Sequence, residues 1–260
     1  MIKLPERSIH SLYPLALAEG EGVGTAYEYF AKRLALAPWL ANLPNPKSML
    51  IAGLPEKYGS SLDFFLLAQD LLVPEVVVCD ERAPALDKLS QSLARAQAAG
   101  LLTGLKTRSV LIHDFSRIGE EVGAFDLCVT SEVLQRLNGN AQAVVKTLMR
   151  NERNLALFAP NADNPAHNQL SGLGGLRLEE LKSMVGQPDR AGYVDMPPFP
   201  PGLTRSSTQR QKATSGWTER LAMGGLDMYA RLEHFIGLAL RRRHAHIVYA
   251  MVSRKSVSEK

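Results

Sequence analysis

The chain has 260 residues, of which 45% are hydrophobic and 22% are charged, and this composition excludes a disordered or collagen-like protein. Thirty Lys and Arg against 26 Asp and Glu leave a formal net charge of +4, which is too small to predict a polyanionic partner by itself. We therefore expect one folded α/β domain, with or without an added cap, for which nucleic acid is not the favoured partner but is not excluded by the charge.

The cysteine and hydropathy patterns indicate the cellular compartment in which we expect the protein. Cys79 and Cys128 both lie in apolar runs, which predicts two reduced core thiols and no disulfide. The early apolar run at 15–18 is too short for an export signal, and no run approaches the roughly 20 residues that cross a bilayer. No cluster of His, Cys and carboxylate residues has metal-site spacing. We expect a cytoplasmic protein with no metal and no membrane partner.

The first half of the chain alternates predicted strands and helices. Residues 1–47 are expected to form a helical lead-in segment, because apolar residues recur at helical spacing from Thr25 to Leu43. Parallel strands need crossover connections, so the alternation that follows predicts a doubly wound, mainly parallel sheet with helices on both faces. The predicted strands are 48–52, 75–79, 109–113, 125–130 and 155–159, and the predicted helices are 60–72, 84–99 and 141–150.

The last third of the chain adds two predicted strands to this sheet, with a long segment between them. A helix is predicted at 178–185, and two further strands are predicted at 192–196 and 244–253. Residues 197–243 separate these two strands, open with four prolines and end in a predicted helix from about 217 to 240. We expect this segment to be a substrate cap inserted into a domain that spans 48–260.

Small and polar residues follow the predicted strands at their carboxyl ends, where open parallel sheets bind ligands. Gly53 allows the backbone to approach a ligand closely. A carboxylate at Asp80 can accept two hydrogen bonds from ribose hydroxyls, and Asp114 with Phe115 can bracket an adenine ring. The four strand ends read Ala52-Gly53-Leu54-Pro55, Asp80-Glu81, Asp114-Phe115 and Ser131-Glu132.

Three segments resemble the class I S-adenosylmethionine-dependent methyltransferases. FDLCVTSEVLQRL at 125–137 is similar to the fourth-strand motif of that family. VVVCDERAPALDKLSQSLARA at 76–96 is similar to its second strand, acidic ribose-binding residue and following helix. ALFAPNADNPAHN at 156–168 is similar to its fifth strand and the loop after it. The resemblance covers roughly 48–185 and implies S-adenosyl-L-methionine as cofactor and a seven-stranded sheet with an antiparallel last strand.

The resemblance also implies roles for the residues at the strand ends. Asp80, followed by Glu81, corresponds to the ribose-binding position, Asp114 and Phe115 to the adenine site, and Ser131 and Glu132 to the region of the methionine moiety or the acceptor. The first loop, Ala52 to Pro55, departs from the pattern. Ile51 replaces an acidic residue that usually contacts the amino group of the cofactor, and Pro55 replaces a second glycine.

These observations favour an enzyme that transfers a methyl group to a small organic acceptor by in-line displacement, a reaction that depends mainly on positioning. His167, in the loop after the fifth predicted strand, is the candidate general base, although a surface histidine is the simpler interpretation. His244 and His246 alternate in the last predicted strand and are expected on an exposed face.

Two other functions stay open at this point. Ile51 and Pro55 also fit a catalytically silent methyltransferase-like module that binds a ligand or partner. The basic charge and the run Arg241-Arg242-Arg243 also fit an RNA methyltransferase, although cations at a helix end have a structural explanation. Apolar residues near Trp217 and Phe235 indicate a core or a homodimer surface. The acceptor, the methylated atom and the oligomeric state do not follow from the sequence.

Overall fold

A seven-stranded sheet forms the centre of the computed structural model, which describes residues 2–137, 139–198 and 217–254. The strands are β1 (Met49–Ala52), β2 (Glu75–Asp80), β3 (Lys106–Leu111), β4 (Leu127–Ser131), β5 (Asn154–Pro160), β6 (Arg190–Val194) and β7 (Ile247–Ser253). Their order is β3-β2-β1-β4-β5-β7-β6, and β7 runs antiparallel to both of its neighbours. The doubly wound sheet with an antiparallel last strand is therefore confirmed.

Helices cover both faces of this sheet. The helices in the described ranges are α1 (Ile9–Ala18), α2 (Val23–Leu40), α3 (Leu62–Asp70), α4 (Ala83–Ala98), α5 (Ile118–Val122), α6 (Ala141–Asn151), α7 (Pro165–Ser171), α8 (Leu178–Val185), α9 (Trp217–Leu232) and α10 (Leu238–His244). None of them is long and apolar enough to cross a membrane. Short 3₁₀ turns at 115–117, 134–136 and 233–235 complete the described elements.

Strands β1, β2, β4 and β5 are apolar at almost every position because both of their faces are buried. Successive side chains point to opposite faces, so Ile51 packs with α1 to α4 on one side while Leu50 packs with α5, α6 and α8 on the other. Cys79 and Cys128 lie on the same face as Leu50, are fully buried and form no disulfide. The prediction of two free core thiols is confirmed.

The lead-in segment contains one helix that the sequence pattern did not reveal. Ser8 begins α1 with a capping box, in which its hydroxyl accepts a hydrogen bond from the Ser11 amide. The Pro14 inside this helix breaks the usual sequence signal. Both α1 and α2 contribute buried side chains to the core cluster on their face of the sheet.

Strand β3 and the last predicted helix differ from their predicted bounds. Strand β3 begins at Lys106, earlier than predicted, because it is an edge strand whose exposed polar residues hide the apolar signal. The helix predicted from about 217 to 240 is two helices, separated at the extended Ile236 and at Gly237. The remainder of the expected cap, 199–216, lies outside the described residues.

Two histidines lie in different elements from those predicted. His167 is in α7 because the Asn164 side chain caps its amide and Pro165 begins the helix. His244 ends α10, and β7 begins only at Ile247. The side chain of His246 is 15% exposed, so the expectation that it lies on an exposed strand face is wrong.

Candidate functional site

The order of the strands reverses between β1 and β4, and the carboxyl ends of these strands form one edge of the sheet. Ligands bind at such a reversal in open α/β sheets. Gly53 follows β1 with a φ of +85°, a conformation that favours glycine. Asp80 ends β2, and Glu132 follows β4. The structure thus brings three of the residues predicted for cofactor binding to the expected edge.

Asp80 is fully buried, and protein groups saturate its carboxylate. The Arg82 guanidinium donates from Nε to Oδ1 at 2.8 Å and from Nη2 to Oδ2 at 2.9 Å, and Arg136 Nη2 donates to Oδ2 at 3.0 Å. The amides of Leu54 and Arg82 add two more bonds of 2.8 Å each. Burial alone raises the pKa of Asp80, but the bonds from Arg82 and Leu54 hold it below its usual range.

The two arginines connect this carboxylate to the surrounding loops. Arg82 Nη2 also donates to the Leu54 carbonyl at 2.7 Å, which fixes the first loop against β2. Arg136 Nη1 forms a 2.6 Å ion pair with Glu81, and its guanidinium lies 5.3 Å from the centre of the Phe115 ring. Glu81 is therefore paired with Arg136 in this structure. We call the group of Asp80, Arg82 and Arg136 the Asp80 clamp.

Apolar side chains fill the space directly beyond β1. A Cβ atom on Gly53 would lie 2.7 and 2.8 Å from the two methyl groups of Val133, and 3.0 Å from Cζ of Phe115. Ala52 and Leu54 on either side of Gly53 are also buried. In this structure the close approach that requires glycine is made by protein side chains of the loops after β3 and β4.

The residues that were predicted to bind adenine lie in different environments. Phe115 is buried, whereas Asp114 is exposed and accepts bonds of 2.7 Å from the Ser116 amide and hydroxyl. These bonds from Ser116 lower the pKa of Asp114 and make it the cap of the 3₁₀ turn at 115–117. Pro55 follows the Leu54 amide that bonds Asp80, so the missing donor at Pro55 does not affect that bond.

The residues present fit the amino-acid half of S-adenosylmethionine better than its nucleoside half. Ser131 Oγ, Gln135 Oε1 and Arg136 Nε are buried without a partner among the described residues. Such acceptors and donors suit the ammonium and carboxylate of an amino acid. The nucleoside half would need Asp80, which the clamp occupies. The Arg82 side chain is 30% exposed and that of Arg136 is 8% exposed, so Arg82 is the arginine with room to turn towards solvent, and the nucleoside half fits only if Arg82 releases Asp80.

A second set of buried charged side chains lies on the other side of β4. Strand β6 runs parallel to β1–β5, whereas β7 is antiparallel, so the end of β6 and the start of β7 reach this same edge. Helices α2 and α3 contribute the remaining side chains. This set, which we call the polar centre, comprises Glu28 and Lys32 on α2, Asp63 on α3, Glu132 after β4, Asp195 after β6 and His246 before β7.

Lys32 is the lysine of the polar centre and contacts two of its carboxylates. Its side chain is 2% exposed, and its Nζ lies 2.8 Å from Glu28 Oε1 and 3.1 Å from Asp63 Oδ2. Burial lowers the pKa of Lys32, but the charges of Asp63 and Glu28 raise it further, so the net shift is upward. Lys32 is therefore charged and is shared between two carboxylates.

Glu132 lies in the polar centre in a strained conformation. Its φ is +56°, in the left-handed region that side chains rarely adopt. The residue is 7% exposed, and its Oε2 has no hydrogen-bond partner among the described residues. Burial, together with the negative charge of Glu28, raises the pKa of Glu132 to about 8.

The histidines of the site form a stacked pair. His246 Nδ1 lies 3.0 Å from Asp195 Oδ2, and the ring of His246 stacks on His167 with centroids 4.2 Å apart. Burial lowers the pKa of His246, but Asp195 raises it more, so the net shift is upward. Burial and the charge of His246 lower the pKa of His167 to about 4, so His167 is neutral at pH 7.

Sequence reasoning missed most of the polar centre. Lys32 and Glu28 have the i,i+4 spacing of an ordinary surface ion pair, and nothing in the pattern shows that they are buried. Asp195 and His246 were missed because the bounds of the last two strands were misplaced. Among the described residues, no three His, Cys or carboxylate side chains are arranged to hold a metal ion.

We expect Glu132→Gln to flatten the pH dependence of stability. The folded state keeps a proton on Glu132 that the unfolded state releases above about pH 4.5, so wild-type stability falls as pH rises towards 8. The variant should therefore melt about 3 °C or more above wild type at pH 8.5, and close to it at pH 5. Thermal denaturation at both pH values measures this, with Glu75→Gln, at the exposed start of β2, as control.

Comparisons with known proteins bear on the fold. No family model matches the chain, and no curated protein matches it either. The chain is similar to the plantazolicin methyltransferase BpumL, crystallised with a monoazolic desmethylPZN analog and SAH, at 11% identity over 95% of this chain and 98% of that one, with a TM-score of 0.52. The methyltransferase domain of bacterial CtHen1 is 13% identical over 86% and 100%, with a TM-score of 0.48. The strand order and the likeness to BpumL together show that the chain has the fold of the class I S-adenosylmethionine-dependent methyltransferases.

Proposed function

We propose that this chain binds S-adenosyl-L-methionine beyond β1, β2 and β4 and directs its methyl group to a small organic acceptor. The polar centre is the observation that carries the proposal. Buried carboxylates that are not fully neutralised destabilise a fold, and groups with raised pKa values, such as Glu132, are concentrated at functional sites. A domain that needed only a stable core would not require this cluster at the carboxyl edge of the sheet, next to the reversal of the strand order.

The residues of the crevice have distinct tasks in this proposal. When bound, S-adenosylmethionine supplies an electrophilic methyl group. Asp80 accepts hydrogen bonds from the ribose hydroxyls once Arg82 has left it, and Ser131 with Gln135 holds the amino-acid portion. Phe115 and Asp114 stay the predicted contacts of the adenine. No covalent intermediate with the protein is needed, because an in-line reaction depends mainly on the positions of its partners.

The acceptor side of the site is proposed to lie under the segment 197–243. The Tyr27 hydroxyl donates to Glu233 Oε2 at 2.9 Å, which attaches the turn between α9 and α10 to α2. Glu233 also accepts a bond of 3.2 Å from the Met196 amide at the beginning of this segment. These contacts hold the turn at 233–235 against α2 and against Met196, the residue that precedes the expected cap. His167 stays a proposed base, although its low pKa makes it a weak one.

A second candidate is a silent module that binds a ligand or partner without turnover. The Asp80 clamp favours it, because the carboxylate expected to hold the ribose has no free acceptor position in this structure. If the arginines never leave Asp80, the nucleoside has no site. The two candidates therefore differ in one measurable property, the ability of Arg82 to move.

Two other partners, an RNA acceptor and a second copy of this chain, are less well supported. An RNA acceptor would use the arginine run at the end of α10, but Arg242 is already paired with Asp163 at 2.9 Å. Homodimerisation stays a proposal that rests on exposed apolar side chains along α9 and after it. Trp217 is 72% exposed and Phe235 is 75% exposed, whereas Met223 on α9 is buried.

Arg82→Ala tests the proposal directly. S-adenosylhomocysteine must displace Arg82 before it can reach Asp80, so removing that side chain should tighten binding about tenfold. Asp80 keeps Arg136 and the Leu54 amide as partners, so the fold should persist. Calorimetric titration measures the affinity, with Arg108→Ala on the exposed face of β3 as the matched control. No binding to either wild type or Arg82→Ala would instead support the silent module.

A further inference from the structure

We infer that the acceptor is an amine that arrives as an ammonium ion and that Glu132 binds it and removes its proton within the polar centre. The inference rests on the proposed function and adds the chemical class of the substrate. It is drawn from three features of the polar centre: its charge balance, its unpartnered oxygen atoms and its position beside the donor crevice.

The polar centre has more carboxylates than cations. Its four carboxylates face one lysine, Lys32, and one histidine, His246. Lys32 is shared by Glu28 and Asp63, and His246 is paired with Asp195, so Glu132 forms no ion pair among the described residues. A positively charged ligand beside Glu132 would favour the ionised form of its carboxyl group and balance that charge, whereas an anionic acceptor would add to the repulsion.

Two buried oxygen atoms in the centre need hydrogen-bond donors. Glu132 Oε2 and Asp63 Oδ1 have no partner among the described residues, and the residues are only 7% and 8% exposed. A buried acceptor without a donor is costly, and a carboxyl group that has lost its proton can only accept. An ammonium group carries several N–H donors, whereas a hydroxyl carries one and a carboxylate carries none. The vacant oxygens therefore favour an amine over an alcohol or an acid.

Glu132 lies between the polar centre and the strand ends where we propose that the donor binds. The next residue, Val133, contacts Gly53 of the first loop, and the preceding residue, Ser131, is the last of β4. An amine held by Glu132 would therefore lie next to the crevice in which we propose the donor binds. A short distance between nucleophile and methyl group is the main requirement of the reaction.

The proton transfer is consistent with the environment of Glu132. The ammonium gives one proton to the Glu132 carboxylate, and the neutral amine then forms a bond from nitrogen to the methyl carbon. The bond from that carbon to sulfur breaks, its electron pair stays on sulfur, and the positive charge passes to the methylated nitrogen. The charged groups that face Glu132 are Glu28 and Lys32 from α2, Asp63 from α3 and Asp195 after β6. The pKa of about 8 makes this carboxylate a stronger base than an exposed glutamate.

Binding without the donor is the first test. Hexylamine and benzylamine are titrated into wild type at pH 8.5, where Glu132 is mostly ionised and the amines are still protonated, alongside hexanol, benzyl alcohol, hexanoate and benzoate as probes of matched shape. We expect at least one amine to raise the melting temperature while its alcohol and acid do not. Glu132→Gln should weaken amine binding at least tenfold, and Glu75→Gln should leave it unchanged. An equal response to amine and alcohol, or no response to either amine, would overturn the inference.

Turnover is the second test and separates this inference from the proposed function. With labelled S-adenosylmethionine, methyl transfer to the amine should fall about 10²-fold or more in Glu132→Gln, while affinity for S-adenosylhomocysteine stays the same. If S-adenosylhomocysteine does not bind wild type or Arg82→Ala, the proposed function fails. If it binds but label enters only an alcohol or acid, the proposed function survives and the amine assignment is wrong.

Discussion

Replacing Asp80 with asparagine should lower the free energy of unfolding by about 3–5 kcal/mol, because the amide leaves two guanidinium groups without their buried counter-charge. Asp80 is fully buried, and the Arg136 side chain is only 8% exposed, so water can replace little of what is lost. Urea denaturation measures the change, and the melting temperature should fall by about 10 °C.

The control for this variant is Asp87→Asn, an exposed carboxylate on α4 that should have an effect near zero. Combining Asp80→Asn with Arg82→Ala should cost less than the sum of the two single changes, since the pair interacts directly. Equal stability of wild type and Asp80→Asn would show that the clamp does not exist in solution. The expected loss of S-adenosylhomocysteine affinity in Asp80→Asn tests the role proposed for this carboxylate in ribose binding.

Replacing Lys32 with methionine should be comparably severe at pH 8. Glu28 and Asp63 would share a buried site without the cation that stabilises their charges, and removing one partner of a buried ion pair costs about 3–5 kcal/mol. Without Lys32 the pKa values of both carboxylates rise further, so the folded state binds protons that the unfolded state releases. Stability then falls as pH rises, and the defect should be smaller at pH 5 than at pH 8.

Two further variants make the Lys32 prediction specific. Lys146→Met, on the exposed face of α6, replaces the same residue type and should leave stability nearly unchanged. Adding Asp63→Asn to Lys32→Met removes one of the two orphaned charges and should recover part of the loss at pH 8. A defect that is the same at pH 5 and pH 8 would mean that Lys32 contributes packing and not charge.

The sequence determined the sheet and the order of its strands along the chain. Strands β1, β2, β4 and β5 are buried on both faces and appear as short apolar runs, so their positions could be predicted within two residues. The positions of Gly53, Asp80 and Glu132 at strand ends followed from the same pattern. Edge strand β3 was harder because its solvent-exposed residues are polar.

Only the tertiary structure decided what those strand-end residues contact. Asp80 looks free to bind a ligand in the sequence, but Arg136, 56 residues away, reaches its carboxylate together with Arg82. The polar centre draws on α2, α3 and three strand ends that lie far apart in the chain. Hydrophobic periodicity records which side of an element is buried. Periodicity does not show which charged groups lie next to each other, nor how far each group is removed from water. These two features of the tertiary structure set the pairing and the protonation of Asp80, Lys32 and Glu132.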